Sequence, residues 1–110
     1  MKFKRFSKKQ ILEIYRNMLL SRKLDEKQLI LLKQGKGFFH IGGSGHEAAG
    51  LGAALSFKPG FDYAYPYYRD QAFCLGWGMT SRHHLLSFLA KHTQEEAPTA
   101  QIQCAQSQIQ

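Results

Sequence analysis

This 110-residue sequence lacks the features that define several large classes of protein. It has no run of eighteen apolar residues, so we expect no transmembrane helix, and no apolar signal-peptide region follows its basic start. Its two cysteines are not in a CxxC pair, which argues against a disulfide scaffold or a zinc ribbon and favours a reducing, cytoplasmic location. Neither HExxH nor GxxxxGK[ST] occurs, so the sequence predicts neither a zincin helix nor a P-loop.

Positive charge is concentrated at the beginning of the chain. Residues 1–23 carry eight basic side chains and one acidic side chain, which accounts for the whole net charge of +7. We interpret this region as the solvated start of a helix, because the remaining residues are balanced in charge. Two alternatives stay open: a small basic helical module that binds nucleic acid through residues 1–23, and a transit peptide.

The residue pattern near the beginning of the chain predicts one long amphipathic helix. Ser7 and Gln10 form a capping-box pattern, and the helical pattern ends at Gly35, so we expect a helix over about 8–34 with a potential break near 22–25. Its apolar stripe contains Ile11, Ile14, Tyr15, Met18 and Leu19. A stripe of this length requires a partner surface larger than this chain supplies.

The segment that follows is dense in glycine, which indicates tight turns or the close approach of another backbone or a ligand. Ser44 and Glu47 form a second capping-box pattern and predict a helix with a small-residue surface suited to close packing. Residues 62–68 are an aromatic strand candidate, with Pro66 at an edge or at its exit.

Two further helices are predicted towards the end of the chain. A short helix should run through Cys74 and end near Gly76 or Gly78, and Thr80 or Ser81 should cap a last helix. We place the histidines of this region on the helix surface: His83, His84 and His92. The five histidines of the chain supply no third or fourth fixed ligand, so we predict no metal site.

Two motifs contain residues that could bind a phosphate-bearing ligand. Residues 43–48 match GxGxxA, the dinucleotide fingerprint, but Glu47 places a negative charge where a pyrophosphate would bind. Arg69 follows the strand candidate directly, and its guanidinium beside the Tyr68 hydroxyl suits phosphate oxygens. The competing interpretation is that Arg69 forms an ion pair with Asp62 or Asp70 at the surface.

Three blocks together resemble the alpha subunit of thiamine-diphosphate-dependent 2-oxo acid dehydrogenases, of the branched-chain 2-oxoisovalerate or pyruvate type. In order, they are GKGFFHIGGSGHEAAGLGAAL, KPGFDYAYPYYRDQAF and GMTSRHHLLSFLA. The resemblance covers about residues 10–92. It implies that Tyr68 and Arg69 contact the diphosphate of thiamine diphosphate, and that His40 is a catalytic residue near the substrate end of the site.

The resemblance also implies an activity and partners. The family decarboxylates a 2-oxo acid on thiamine diphosphate and passes the acyl group to lipoamide. It acts with a beta subunit or a fused beta half and with a lipoyl-bearing acyltransferase component. The glutamate that bonds the cofactor's aminopyrimidine belongs to the beta part, so Glu47 is not assigned that role. The Mg²⁺ ligand motif of the family, Gly-Asp-Gly with a trailing asparagine, is not present in this sequence.

The expected fold is α/β, a fragment of the thiamine-diphosphate-binding fold. We divide it into an N-terminal helical arm over 1–34, a partial cofactor-binding domain over 35–92, and a disordered or aberrant tail over 93–110. The chain is then an N-terminal part of the subunit from a truncated or frame-shifted gene, inactive alone, or a non-catalytic remnant that docks on another subunit. The enzymatic interpretation depends on Arg69 being unpaired and facing an opening.

Overall fold

A computed structural model describes residues 5–91, which form four helices: α1 (Lys8–Lys33), α2 (Glu47–Ser56), α3 (Gln71–Gly76) and α4 (Ser81–Phe88). Helix α1 contacts the other three, and α2 packs most extensively on α3. No helix within this range is both long and apolar enough to cross a membrane. The tail predicted over 93–110 lies outside the described residues, and the domain division stays a prediction.

The start of α1 agrees with the capping-box prediction. The Gln10 backbone N–H donates to Ser7 Oγ at 3.2 Å, and the Ser7 N–H donates to the Gln10 side-chain oxygen at 2.8 Å. The helix is continuous through residues 22–25, so the potential break there is not formed. The interrupted apolar pattern has another cause, which is the burial of polar side chains.

Helix α1 buries four residues that lie on one face at helical spacing: Ser21, Leu24, Asp25 and Gln28. Three of these four side chains are polar, and among them Asp25 contacts the glycine-rich loop between α1 and α2. By contrast, Ile11, Tyr15 and Leu19 of the predicted apolar stripe are exposed, each by 47% or more. Residues 5–91 therefore leave much of the apolar stripe uncovered.

The predicted capping box at the start of α2 is wrong. The N-cap residue is His46, whose side chain makes no cap hydrogen bond, and the helix begins at Glu47. Ser44 Oγ instead donates to the Asp25 carboxylate at 2.9 Å. The Glu47 carboxylate accepts from the Gly45 backbone N–H at 2.8 Å. The Ser44 and Glu47 side chains thus have other partners, namely Asp25 for Ser44 and both Gly45 and Arg22 for Glu47.

The strand prediction is also wrong for the described residues, which contain helices but no strand. Residues 62–68 form no strand, and they contain a single isolated bridge at Ala64. Tyr63 and Tyr65 are exposed, whereas Pro66 is buried. Because a strand requires a neighbouring backbone for its hydrogen bonds, alternating aromatic residues alone do not produce a sheet.

The apolar core lies between α2 and α3 and consists mainly of Ala54, Phe73, Cys74 and Trp77. The Trp77 indole N–H donates to the Ala54 carbonyl oxygen at 3.2 Å, which satisfies the one polar group of this side chain. The Phe57 ring meets Phe73 and Trp77 edge to face, with centroids 5.8 and 6.0 Å away. The small residues predicted on α2 allow this close approach.

Helix α4 begins as predicted, with Thr80 as its N-cap. The His83 backbone N–H donates to Thr80 Oγ1, and the Thr80 N–H donates to His83 Nδ1, each at 3.3 Å. The surface prediction for His84 is wrong, because this side chain is 2% exposed. Burial, with a smaller effect of His83, lowers the pKa of His84 from 6.5 to about 4. The third of these histidines, His92, lies outside the described residues.

Candidate functional site

The Tyr68–Arg69 pair lies in a tight turn that connects the aromatic segment to α3. The Asp70 N–H donates to the Tyr67 carbonyl oxygen at 2.9 Å. In return, the Tyr67 N–H donates to Asp70 Oδ2 at 2.8 Å. Buried Pro66 fixes the approach of the chain to this turn. The backbone that carries Tyr68 and Arg69 is therefore held at both ends.

The Arg69 side chain is exposed and stacks beside an aromatic ring. Its guanidinium carbon lies 5.7 Å from the centre of the Tyr68 ring. The Tyr67 and Tyr68 hydroxyls are hydrogen-bonded to each other. This hydrogen bond raises the pKa of Tyr67 and lowers the pKa of Tyr68. Interactions with Arg69 also lower the pKa of Tyr68. A fixed positive charge and phenolic hydroxyls thus lie side by side at the surface.

The alternative that Arg69 is paired with a neighbouring carboxylate is not supported. Asp70 Oδ2 binds the Tyr67 N–H, and Asp62 Oδ2 accepts from the Lys58 N–H at 2.6 Å. Within residues 5–91 the ion pairs join other side chains, and Arg69 forms none with a carboxylate. No carboxylate within residues 5–91 therefore competes with an anion from solution for this guanidinium, which interacts with the Tyr67 and Tyr68 hydroxyls.

His40 lies in the glycine-rich loop and is largely enclosed. Its side chain is 11% exposed, and its Nε2 lies 3.7 Å from Asp25 Oδ1. The Phe88 ring of α4 approaches the imidazole edge to face, with centroids 6.0 Å apart. A Cβ atom on Gly37 would overlap the Phe88 ring, so this ring packs directly on the loop backbone at a glycine. The imidazole is therefore held between α1 and α4.

The loop with His40 and the turn with Arg69 meet at Gly43. A Cβ atom on Gly43 would lie 2.5 Å from the Arg69 carbonyl oxygen, so the two backbones are in direct contact. The Gly43 N–H is buried and donates to Asp25 Oδ2 at 2.9 Å. The structure thus joins the two segments that sequence motifs had selected independently.

The start of α2 is supported by a second acidic side chain, which the sequence motifs assigned only to a capping box. Arg22 Nε donates to Glu47 Oε1 at 2.6 Å, and the Gly45 N–H donates to Glu47 Oε2. The Arg22 hydrogen bond is the largest cause that lowers the pKa of Glu47 from 4.5 to about 2. This carboxylate occupies the position of a phosphate in the dinucleotide fingerprint, so the structure does not support that alternative.

Sequence reasoning missed both supporting residues on α1, Arg22 and Asp25. Their one signal was the interruption of the apolar pattern near 22–25, which we interpreted as a break in the helix. In the structure, polar side chains at these positions reach the glycine-rich loop and the start of α2. A polar interruption within an otherwise apolar stripe is thus the pattern that could have indicated them.

The donor set fits an anion better than a metal ion. The Arg69 guanidinium and the Tyr68 hydroxyl, which accepts from the Tyr67 hydroxyl, are groups that can donate to phosphate oxygens, and the fixed turn orients them. No group of three or more histidine, cysteine or acidic residues within 5–91 could hold a metal. The Arg69 and Tyr68 groups therefore suit a phosphate-bearing ligand, and residues 5–91 provide no ligand set for a metal ion.

A groove of about 460 Å³ lies between α2 and the aromatic segment. Its lining includes Ala53, Phe57, Tyr63 and Pro66, together with Asp70 of the turn. Most of these groups are apolar, and the Asp70 carboxylate would repel phosphate. The groove is thus unsuited to a diphosphate, unlike the Arg69 face of the turn.

Comparison with known proteins gives a consistent family. Residues 15–109 match the family model described as "Dehydrogenase E1 component". The chain is 43% identical over 82 residues to the "2-oxoisovalerate dehydrogenase subunit alpha" of Bacillus subtilis (strain 168). That alignment covers 74% of this chain and 25% of the relative, so the chain spans about a quarter of its length. No solved structure matches.

Proposed function

We propose that this chain, which belongs to the dehydrogenase E1 component family, forms one side of a thiamine diphosphate site in the alpha subunit of a 2-oxo acid dehydrogenase. The observation that carries the proposal is the exposed Arg69 guanidinium beside Tyr68, on a turn that Asp70 closes. Arg69 would bind diphosphate oxygens in a bidentate manner, and the Tyr68 hydroxyl would donate to a further oxygen. His40 is proposed as a catalytic residue at the substrate end.

When bound, thiamine diphosphate supplies the electron sink that decarboxylation of a 2-oxo acid requires. The residues of this chain bind and orient it. Arg69 offsets part of the diphosphate charge, but one guanidinium does not balance a diphosphate. Mg²⁺ would supply the remaining positive charge, with ligands from elsewhere in the complete subunit. We therefore expect the 110-residue chain alone to bind the cofactor weakly and to decarboxylate no 2-oxo acid.

The complete enzyme would decarboxylate a 2-oxo acid and pass the acyl group to lipoamide on an acyltransferase component. We propose a beta subunit, or a fused beta half, as its direct partner. The exposed face of α1 supports a docking role, since Ile11, Tyr15 and Leu19 are large apolar side chains left in solvent. Co-purification with a beta subunit, lost on Tyr15→Glu but kept on Glu13→Gln, would support this partner. Equal co-purification of both variants would contradict it.

The nucleic-acid alternative receives no support from the structure or the family. Two of the cations in residues 1–23 have acidic partners, since Arg22 binds Glu47 and Lys23 binds Glu26 at 2.8 Å. Pairing of this kind reduces the positive charge that a phosphate backbone would meet. We therefore favour the enzymatic proposal.

A chimera provides the direct test of the Arg69 assignment. Residues 10–91 of this chain would replace the matching segment of the Bacillus subtilis relative, and the product would be assembled with its beta subunit. In this chimera, Arg69→Ala should raise the thiamine diphosphate concentration for half-maximal decarboxylation by about 10²-fold, from a loss of roughly 2–4 kcal/mol. Because the change weakens binding and leaves the reacting atoms in place, kcat at saturating cofactor should largely recover.

Arg16→Ala is the matched control, because it removes an exposed arginine from the first half of α1. This variant should keep the parent cofactor requirement. If Arg69→Ala also kept it, Arg69 would not belong to the site. A chimera that assembles and binds the cofactor but decarboxylates no 2-oxo acid would contradict the proposed activity.

A further inference from the structure

The Asp25 carboxylate is buried at the point where α1 meets the glycine-rich loop. Its residue is 6% exposed. Oδ2 accepts two hydrogen bonds at 2.9 Å, one from the Gly43 N–H and one from Ser44 Oγ. Oδ1 faces the imidazole of His40 at 3.7 Å. A buried carboxylate is costly unless hydrogen bonds or an opposite charge compensate it, so these contacts explain why it is tolerated here.

The two oxygens of this carboxylate face two different parts of the candidate site. One oxygen faces His40 directly. The other holds the Gly43 peptide, whose α-carbon packs against the Arg69 carbonyl. Asp25 thus lies beside the imidazole, and through Gly43 it is one residue removed from the turn that presents the guanidinium.

We propose that Asp25 is a positioning residue that fixes His40 and the Arg69 turn relative to each other. This inference rests on the proposed function, because it assigns Asp25 a role in the site formed by these two residues. The Asp25 charge orients the imidazole, and its hydrogen bonds to Gly43 and Ser44 hold the loop against the turn. The bound diphosphate and the catalytic imidazole then keep a constant separation.

A purely structural role would join α1 to the loop without affecting the site. The two roles separate experimentally because asparagine at this position keeps an acceptor oxygen but carries no charge. Asp25→Asn can still accept from the Gly43 N–H, whereas Asp25→Ala removes the acceptor. Glu26→Gln is the matched control, since it makes the same charge change one residue further along α1, at an exposed side chain that pairs with Lys23.

The experiment uses the 110-residue chain, with NMR signals of three groups as readouts. The Gly43 amide hydrogen-exchange rate reports the hydrogen bond, and the His40 ring signals report the imidazole environment. The Arg69 side-chain Nε–H signal, titrated with inorganic pyrophosphate, reports anion affinity. Arg69→Ala, followed by backbone amide signals of the turn, tests separately whether the anion binds through this guanidinium.

Asp25→Ala should accelerate Gly43 exchange about tenfold or more, as expected for loss of a charge-assisted hydrogen bond, and weaken pyrophosphate binding about threefold or more. Asp25→Asn should keep Gly43 exchange within about threefold of the parent yet shift the His40 ring signals. Glu26→Gln should change none of the three readouts.

Two results would overturn the inference. In the first, neither Asp25 variant changes the Gly43 exchange rate or the His40 ring signals more than the control Glu26→Gln does. The second is unchanged pyrophosphate affinity in Asp25→Ala together with accelerated Gly43 exchange, which would leave a purely structural role. Failure of the proposed function would give a different result, in which the parent and Arg69→Ala bind pyrophosphate equally. The His40 and Gly43 signals would still test the role of Asp25 in that case.

Discussion

Glu47→Gln should lower the free energy of unfolding at neutral pH and lose this effect in acid. The pKa of Glu47 lies at about 2 instead of 4.5 in the folded chain, mainly because of the Arg22 hydrogen bond. A shift of that size corresponds to about 3 kcal/mol at most. The Arg22 side chain is 48% exposed, so water screens the pair, and we expect about 1–2 kcal/mol.

The pH range follows from the direction of the shift. A lowered folded-state pKa stabilises the fold fully above 4.5, and this contribution disappears as the pH falls through about 2. Urea unfolding at pH 7, 4 and 2, followed by the fluorescence of buried Trp77, measures it. Glu26→Gln, at an exposed i,i+3 pair, should stay within about 0.5 kcal/mol of the parent. The reasoning is refuted if Glu47→Gln matches the parent at pH 7, or if the difference persists undiminished at pH 2.

Two further predictions concern His84 and the loop glycines. Burial lowers the pKa of His84 to about 4 from 6.5, so the parent chain should lose up to about 3 kcal/mol as the pH falls from 6.5 to 4. His84→Leu should remove this loss, and urea midpoints that fall equally in both chains would contradict it. Gly43→Ala should destabilise by about 1–3 kcal/mol through its contact with the Arg69 carbonyl. Gly52→Ala, in open space on α2, should instead stabilise by up to about 1 kcal/mol, and equal urea midpoints for the two variants would refute the contact.

The parts of the fold that were predicted correctly depend on residues close together in sequence. The capping box at Ser7 and the Thr80 cap form because each involves a side chain and a backbone N–H three residues apart. The end of α3 at Gly76 is similarly local in origin. Such features can be predicted because their energies depend little on the rest of the chain.

The errors arise where distant residues compete for the same groups. Ser44 and Glu47 have the correct spacing for a capping box, but Asp25 binds the first and Arg22 binds the second. Both partners come from α1, some twenty residues earlier, and no local pattern specifies them. The strand over 62–68 failed for a related reason, since a strand requires a pairing backbone that local sequence does not identify. His84 was misplaced because helical spacing does not specify which face becomes buried.

The candidate site shows the same division between local identity and distant support. Arg69, Tyr68 and His40 are conspicuous in the sequence because their residue types suit anions and proton transfer. Their placement depends on a glycine at 43, where a peptide must lie between a carboxylate of α1 and a carbonyl of the turn. A side chain at that position would separate the two segments while leaving each motif intact. Sequence motifs can therefore identify groups capable of binding a diphosphate, whereas the contacts that hold these groups in one site follow from the three-dimensional structure.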